Sequence, residues 1–155
     1  MNRPFRIPAF ALLLAATALA ADGDPAAPAD QAIRCANLIY AGTETSRCFS
    51  DQFLSSMQQL TAIPTERRFK SVKLAGDELF AFPFVVMTGE AHFSLTAQER
   101  DNLKKYLSSG GFLLASAGCS SGDWDKAFLR EMHRIFPDNE LAKIPSEHPV
   151  FHTVA

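Results

Sequence analysis

FPFVVMTGEAHFSLTAQERDNLKKYLSSGGFLLASAGCSSG, residues 82–122, reads as strand, loop, capped helix, strand and tight turn. Residues 84–87 (FVVM) are continuously apolar, as in a strand buried on both faces, and Thr88-Gly89-Glu90 ends the run. Thr96 and Glu99 are spaced as a capping box, and the helix they open carries a buried stripe of Leu103, Tyr106 and Leu107. Gly110 stands where a left-handed C-cap belongs, and Gly111 leads into a second strand over 112–115. Gly118-Cys119-Ser120-Ser121-Gly122 then turns the chain. This order predicts Cys119 at the C-terminal tip of a buried parallel strand, where open α/β sheets bind ligands and carry nucleophiles.

The flanks extend the pattern. Residues 36–41 (ANLIYA) form an apolar run stopped by Gly42, a first buried strand followed by a polar loop over 43–46. Ser50 and Asp51 suit the start of a helix, with Phe49, Phe53, Met57 and Leu60 on one face and Pro64 ending it. Phe69, Val72 and Leu74 fit a short edge strand, kept soluble by Arg67, Arg68, Lys70 and Lys73. Residues 77–80 fit a helical turn. Trp124, Ala127, Phe128, Met132 and Ile135 mark a last amphipathic helix, with Arg130 and Arg134 on its wet side and Pro137 stopping it. Residues 141–144 fit one more short strand. Most of the 13 phenylalanines fall at buried spacings. Strands alternating with helices predict an α/β three-layer sandwich with a mostly parallel central sheet. Right-handed crossovers then bring the loops after Ala41, Met87 and Ala117 to one edge of the sheet.

The N-terminus reads as an address. Arg3 and Arg6, an apolar run over 7–20 and the Ala18-Leu19-Ala20 signature make a signal peptide over residues 1–20, cleaved near Ala20. A Pro/Ala-rich linker follows over 21–32, and one α/β domain occupies 33–155. No other segment approaches the ~18 apolar residues of a membrane span. The full chain sets 15 basic against 17 acidic residues; losing Arg3 and Arg6 takes the net charge from −2 to −4. A mildly acidic domain has no electrostatic footprint for nucleic acid. The expected product is exported, periplasmic or secreted.

The segment 84–122 resembles the glutamine-amidotransferase-like fold, related to flavodoxin-like α/β sheets. Val85-Val86-Met87-Thr88-Gly89 matches a strand ending in a Gly-containing loop. KYLSSGG (105–111) before Phe112-Leu113-Leu114 matches the helix-to-strand passage. Ala117-Gly118-Cys119-Ser120-Ser121 falls at the nucleophile elbow, with small residues where a strained turn needs them. The mature chain also looks like the bacterial family called domain of unknown function 4159. The matching segments are NLIYAG (37–42), 84–93 with Ser94-Leu95-Thr96, GGFLL (110–114), 125–132 with Arg134, and His148-Pro149-Val150-Phe151, covering roughly residues 36–152. The resemblance implies a cell-envelope or secreted protein. Relatives often run further, so it also leaves open a sheet lacking one or more C-terminal strands.

Cys119 is the sharpest candidate. As a nucleophile at a helix N-terminus it would gain from the helix dipole and from flanking backbone N–H groups as an oxyanion hole. Of four histidines, His148 is the most defensible base, although no Cys–His spacing is diagnostic. The rival reading is a disulfide. If strands 36–41 and 112–115 are neighbours, Cys48 and Cys119 lie on the same edge, and the bridge would add ~3–4 kcal/mol. Cys35 lies at the opposite edge, about five residues or roughly 17 Å away, whereas a bridge needs Cα atoms within ~7 Å. The plain alternative for Cys119 is a small buried thiol.

The remaining edge candidates are Thr43, Glu44, Thr88, Gly89, Glu90, Gly118, Ser120 and Ser121, which with Cys119 make a polar mouth suited to a small polar ligand. Each carboxylate there also reads as an ordinary solvated loop group. Arg130, His133 and Arg134 make a basic helix face. Cys119, His133 and His148 lack metal-site spacing, so neither metal nor cofactor is expected. Two functions follow. One is an exported, non-catalytic amidotransferase-like module for a protein partner or small polar ligand. The other is a cysteine-dependent hydrolase or amidotransferase using Cys119.

Overall fold

The computed structural model describes residues 32–45, 51–61 and 63–152. The expected signal peptide, nearly all of the linker, Cys48 and Ser50 lie outside them. The elements are β1 (Cys35–Tyr40), β2 (Thr43–Glu44), α1 (Asp51–Thr61), β3 (Lys70–Lys73), β4 (Phe84–Gly89), α2 (Ala97–Ser108), β5 (Phe112–Ala117) and α3 (Gly122–Ile135). Short 3-10 turns occupy Asp77–Ala81, Gly118–Ser120 and Pro149–Phe151.

Four strands run parallel in the order β3-β1-β4-β5, and the short β2 pairs antiparallel with the end of β1. The sheet is therefore mostly parallel, as the alternation of strand and helix patterns requires. The expected three layers are present. Val85 and Met87 of β4 join Ala36, Leu38 and Tyr40 of β1 in a core completed by Leu103 and Tyr106 of α2 and by Trp124, Ala127 and Ile135 of α3. Phe84, pointing to the other face by strand alternation, stacks on Phe53 of α1 and on Phe112 of β5. Each fully buried Leu or Phe on either face contributes about 1.5–3 kcal/mol.

Local signals act as the residues suggest. Both bonds of the Thr96–Glu99 capping box are present, and Gly110 takes φ 91° just beyond α2. Gly111 lies so close to the Tyr106 ring that an added Cβ would meet it at 2.3 Å, which explains the second glycine. The Tyr106 hydroxyl donates to the Phe82 carbonyl at 2.9 Å and pins α2 to the entry of β4.

Several expectations are corrected. Leu60 is 71% exposed, and Leu54 is the fully buried residue of α1. The helix docks through Phe53, which stacks on Phe69 and Phe84, and through the buried Leu54. Residues 141–144 form no strand and are exposed. Arg130 and Arg134 do not simply line a wet face, because both reach the buried carboxylate of Glu131. The strands that the Cys48–Cys119 reading takes as neighbours are separated by β4, which pairs with both β1 and β5; Cys48 itself is outside the described residues. Among the described residues no helix is long and apolar enough to cross a membrane.

Candidate functional site at the strand tips

Because β1, β4 and β5 are parallel, their C-terminal ends share one edge, and the structure opens that edge between β1 and β4. The β1–β4 ladder runs only from Cys35↔Phe84 to Asn37↔Val86, while β4 stays paired with β5 through Gly89↔Ala117. Beyond Asn37 the β2 hairpin enters. The Thr45 backbone N–H and hydroxyl both donate to the Leu38 carbonyl, at 2.9 and 2.6 Å, and the hydroxyl stands 3.3 Å from the Val86 carbonyl. Ala41 and Gly42 form the two-residue hairpin turn with φ of 48° and 74°, the left-handed pair that such turns require. Glu99 steadies the turn: its Oε1 accepts the Ala41 N–H at 2.7 Å.

Tyr40 spans the opening. Its hydroxyl donates to the Thr88 carbonyl at 2.8 Å and accepts the Trp124 indole N–H at 2.7 Å. Burial raises the pKa of this phenol, and the indole hydrogen bond acts the other way. The result is a cavity of about 570 Å³, lined by Tyr40, Ala41 and Thr43 on one side and by residues 89–94 on the other. That volume lies within the usual range for small-ligand sites.

The wall formed by residues 93–95 is fixed from behind. Arg130 donates to the Phe93 carbonyl at 2.8 Å, Ser94 Oγ donates to Glu131 Oε1 at 3.3 Å, and Arg100 donates to the Leu95 carbonyl. Arg100 and Arg134 also reach Glu131, at 3.2 and 2.7 Å. Three consecutive residues are thus tied to one buried carboxylate and its arginines. Phe93 packs edge-to-face on Tyr40, with ring centroids 5.0 Å apart.

The elbow adjoins this wall. Cys119 has φ 47° and ψ 31°, and Ser120 follows at φ 58°. Left-handed backbone at a non-glycine residue costs about 1–3 kcal/mol and is concentrated at functional turns. Cys119 is exposed, and its Sγ lies 3.4 Å from Glu90 Oε1. Ser121 Oγ accepts the Trp124 N–H, capping α3, and donates to the Glu90 carbonyl. Glu90 is therefore joined to the elbow through both its side chain and its backbone.

The structure sorts the expected site residues. Thr43, Gly89 and Glu90 line the cavity, while Cys119, Ser120 and Ser121 stand at the elbow beside it. Thr88 and Gly118 are buried, so they support the edge and do not face a ligand. Glu44 lies in β2. His148 caps its own turn, accepting the Val150 N–H at 3.2 Å, and the Glu90 carboxylate lies beside the Cys119 thiol. Sequence reasoning missed Tyr40, His92, Phe93 and Ser94 as lining residues, and Glu131 as their anchor. Tyr40 carried a usable signal: a polar-tipped aromatic at a strand's end, immediately before a turn. Among the described residues no cluster of three or more His, Cys, Asp or Glu side chains could hold a metal ion.

Fold and site together define a parallel α/β domain with a ligand-sized cavity at its strand tips. The chain belongs to the family described as domain of unknown function (DUF4159), whose profile matches residues 34–154. No curated protein matches it.

Proposed function

We propose that this is an exported, amidotransferase-like binding domain of the bacterial cell envelope, periplasmic or secreted, that holds a small polar ligand in the strand-tip cavity without transforming it. The observation that carries this reading is the cavity between Tyr40 and residues 89–94, whose walls are fixed by Glu99 and Glu131. Preorganised walls reduce the ordering cost of binding. The single tryptophan, Trp124, bonds to a lining residue and so reports occupancy. Purified protein titrated with fractionated cell-envelope extract should change its Trp124 emission and melting temperature. Ala91→Leu, which fills the cavity from its exposed lip without adding a second indole, should abolish both responses. Equal responses in the two proteins, or none in the wild type, would sink the reading.

A second reading is favoured by one observation, the exposed left-handed Cys119 at the strand-to-helix elbow. It is a cysteine-dependent hydrolase or amidotransferase using Cys119, whose thiol lies 3.4 Å from Glu90 Oε1. It predicts fast alkylation of Cys119 by iodoacetamide near neutral pH, with the rate altered in Glu90→Gln. A peptide linking Cys48 to Cys119 in the non-reduced protein excludes it.

A further inference from the structure

We infer that the ligand of the strand-tip cavity is a small organic ammonium ion; the inference rests on the binding reading above and names its ligand class. The cavity's lining includes one carboxylate, Glu90, one imidazole, His92, which carries an acceptor as well as a donor when neutral, and neither lysine nor arginine. The nearby cations face elsewhere. Arg100, Arg130 and Arg134 gather on Glu131, with Arg100 and Arg130 also holding the Leu95 and Phe93 carbonyls.

The hydroxyl protons around the cavity are also engaged. Tyr40 donates to the Thr88 carbonyl, Thr43 to the Tyr40 carbonyl at 3.1 Å, and Ser94 to Glu131. A hydroxyl has one proton to donate and two lone pairs to accept with. The Tyr40 hydroxyl also accepts the Trp124 N–H, so the accepting capacity left around the cavity lies on Thr43 and Ser94. A carboxylate and acceptor-rich hydroxyls suit a group that only donates, and an ammonium has three donors and no acceptor. A polyol brings as many acceptors as donors, and a carboxylate ligand would meet Glu90 as a like charge.

The test uses probes matched in size and differing in charge. Glucosamine, glucose and glucuronate, with 1,4-diaminobutane as a second amine, are titrated into the full chain with calorimetric and Trp124 fluorescence readouts. The expected result is binding of the two amines alone. Glu90→Gln should weaken that binding about tenfold, the scale of one charge-assisted hydrogen bond, and leave the unliganded melting temperature unchanged. Glucose or glucuronate binding as well as glucosamine overturns the ammonium assignment and leaves the cavity reading standing. Binding by none of the four at millimolar concentration also overturns it, and the extract titration then decides the cavity reading separately. Amine binding that survives intact in Glu90→Gln overturns the role of the carboxylate.

Discussion

The Trp124 indole N–H donates to the Tyr40 hydroxyl at 2.7 Å, joining residues 84 apart in sequence. This bond ties the start of α3 to the tip of β1, across the place where β1 and β4 separate. It passes directly over Gly89. A Cβ added there would meet Tyr40 Oη at 2.4 Å and Trp124 Nε1 at 2.5 Å, too close for either to remain. Gly89→Ala should therefore destabilise the fold by about 1–3 kcal/mol, the usual range for overpacking a core. It should also shift Trp124 emission as the indole loses its partner. A urea titration followed by fluorescence measures both; an unchanged midpoint with unchanged emission would show that the crossing has room for a methyl group.

Glu131 has a side chain only 2% exposed and faces three arginines that are 30–50% exposed. Removing it strands their charges and unties Ser94 from behind the cavity. The expected cost of Glu131→Ala is about 2–3 kcal/mol, below the full value for a buried pair because the arginines can turn to solvent. Backbone amides in residues 91–96 should exchange faster with deuterium, while those of β4 keep their protection. Arg134→Ala, at the half-exposed end of the network, should cost no more than about 1 kcal/mol.

The difference between these residues explains what was legible in the sequence. The apolar run at 84–87, the Thr96–Glu99 spacing and the Gly110-Gly111 pair each act within a few residues, so their consequences can be read locally. The elbow at Cys119 was legible for the same reason, since small neighbours permit a left-handed turn. Glu131 was not. On the α3 pattern it is one charged residue among Arg130, His133 and Arg134, and its burial depends on where α2 brings Arg100. The edge and three of its residues, Thr43, Gly89 and Glu90, were legible, but the opening was not, because it arises from strand register: β1 leaves β4 after Asn37, and no periodicity records that separation. The 3.4 Å approach of Glu90 Oε1 to the Cys119 thiol was hidden too, since it joins residues 29 apart through the fold.

Glu99 serves two elements at once. Its Oε2 accepts the Thr96 N–H at 2.7 Å in the capping box, and its Oε1 holds the Ala41 N–H at the left-handed turn. Glu99→Ala leaves two backbone donors without this partner and should cost about 2–3 kcal/mol, more than the ~1 kcal/mol of a simple cap. Thr96→Ser keeps the capping hydroxyl and should change stability by less than about 0.5 kcal/mol. Thermal denaturation of the two variants separates these values. A loss of only ~1 kcal/mol for Glu99→Ala, that of a simple cap, would mean that the Ala41 contact contributes nothing.

Alkaline pH should unfold the domain through groups buried in their neutral form. Burial pushes the Cys35 thiol up to about 11 from an ordinary value of 9.0, with the Glu66 carboxylate adding to the rise. Burial likewise pushes the Tyr106 phenol up to about 12 from 10.0. Below pH 9 both groups are protonated in folded and unfolded chains alike, so their full contribution is present. Between pH 9 and 12 the unfolded chain loses protons that the folded chain retains, and stability falls. Each shift corresponds to a loss of about 2–3 kcal/mol once the pH has passed the folded value. Urea midpoints measured at pH 8 and pH 10.5 should therefore drop for the wild type. They should drop by less for Cys35→Ala, which has no thiol to ionise. A fall of equal size in both proteins would show that burial of Cys35 does not govern the alkaline limit.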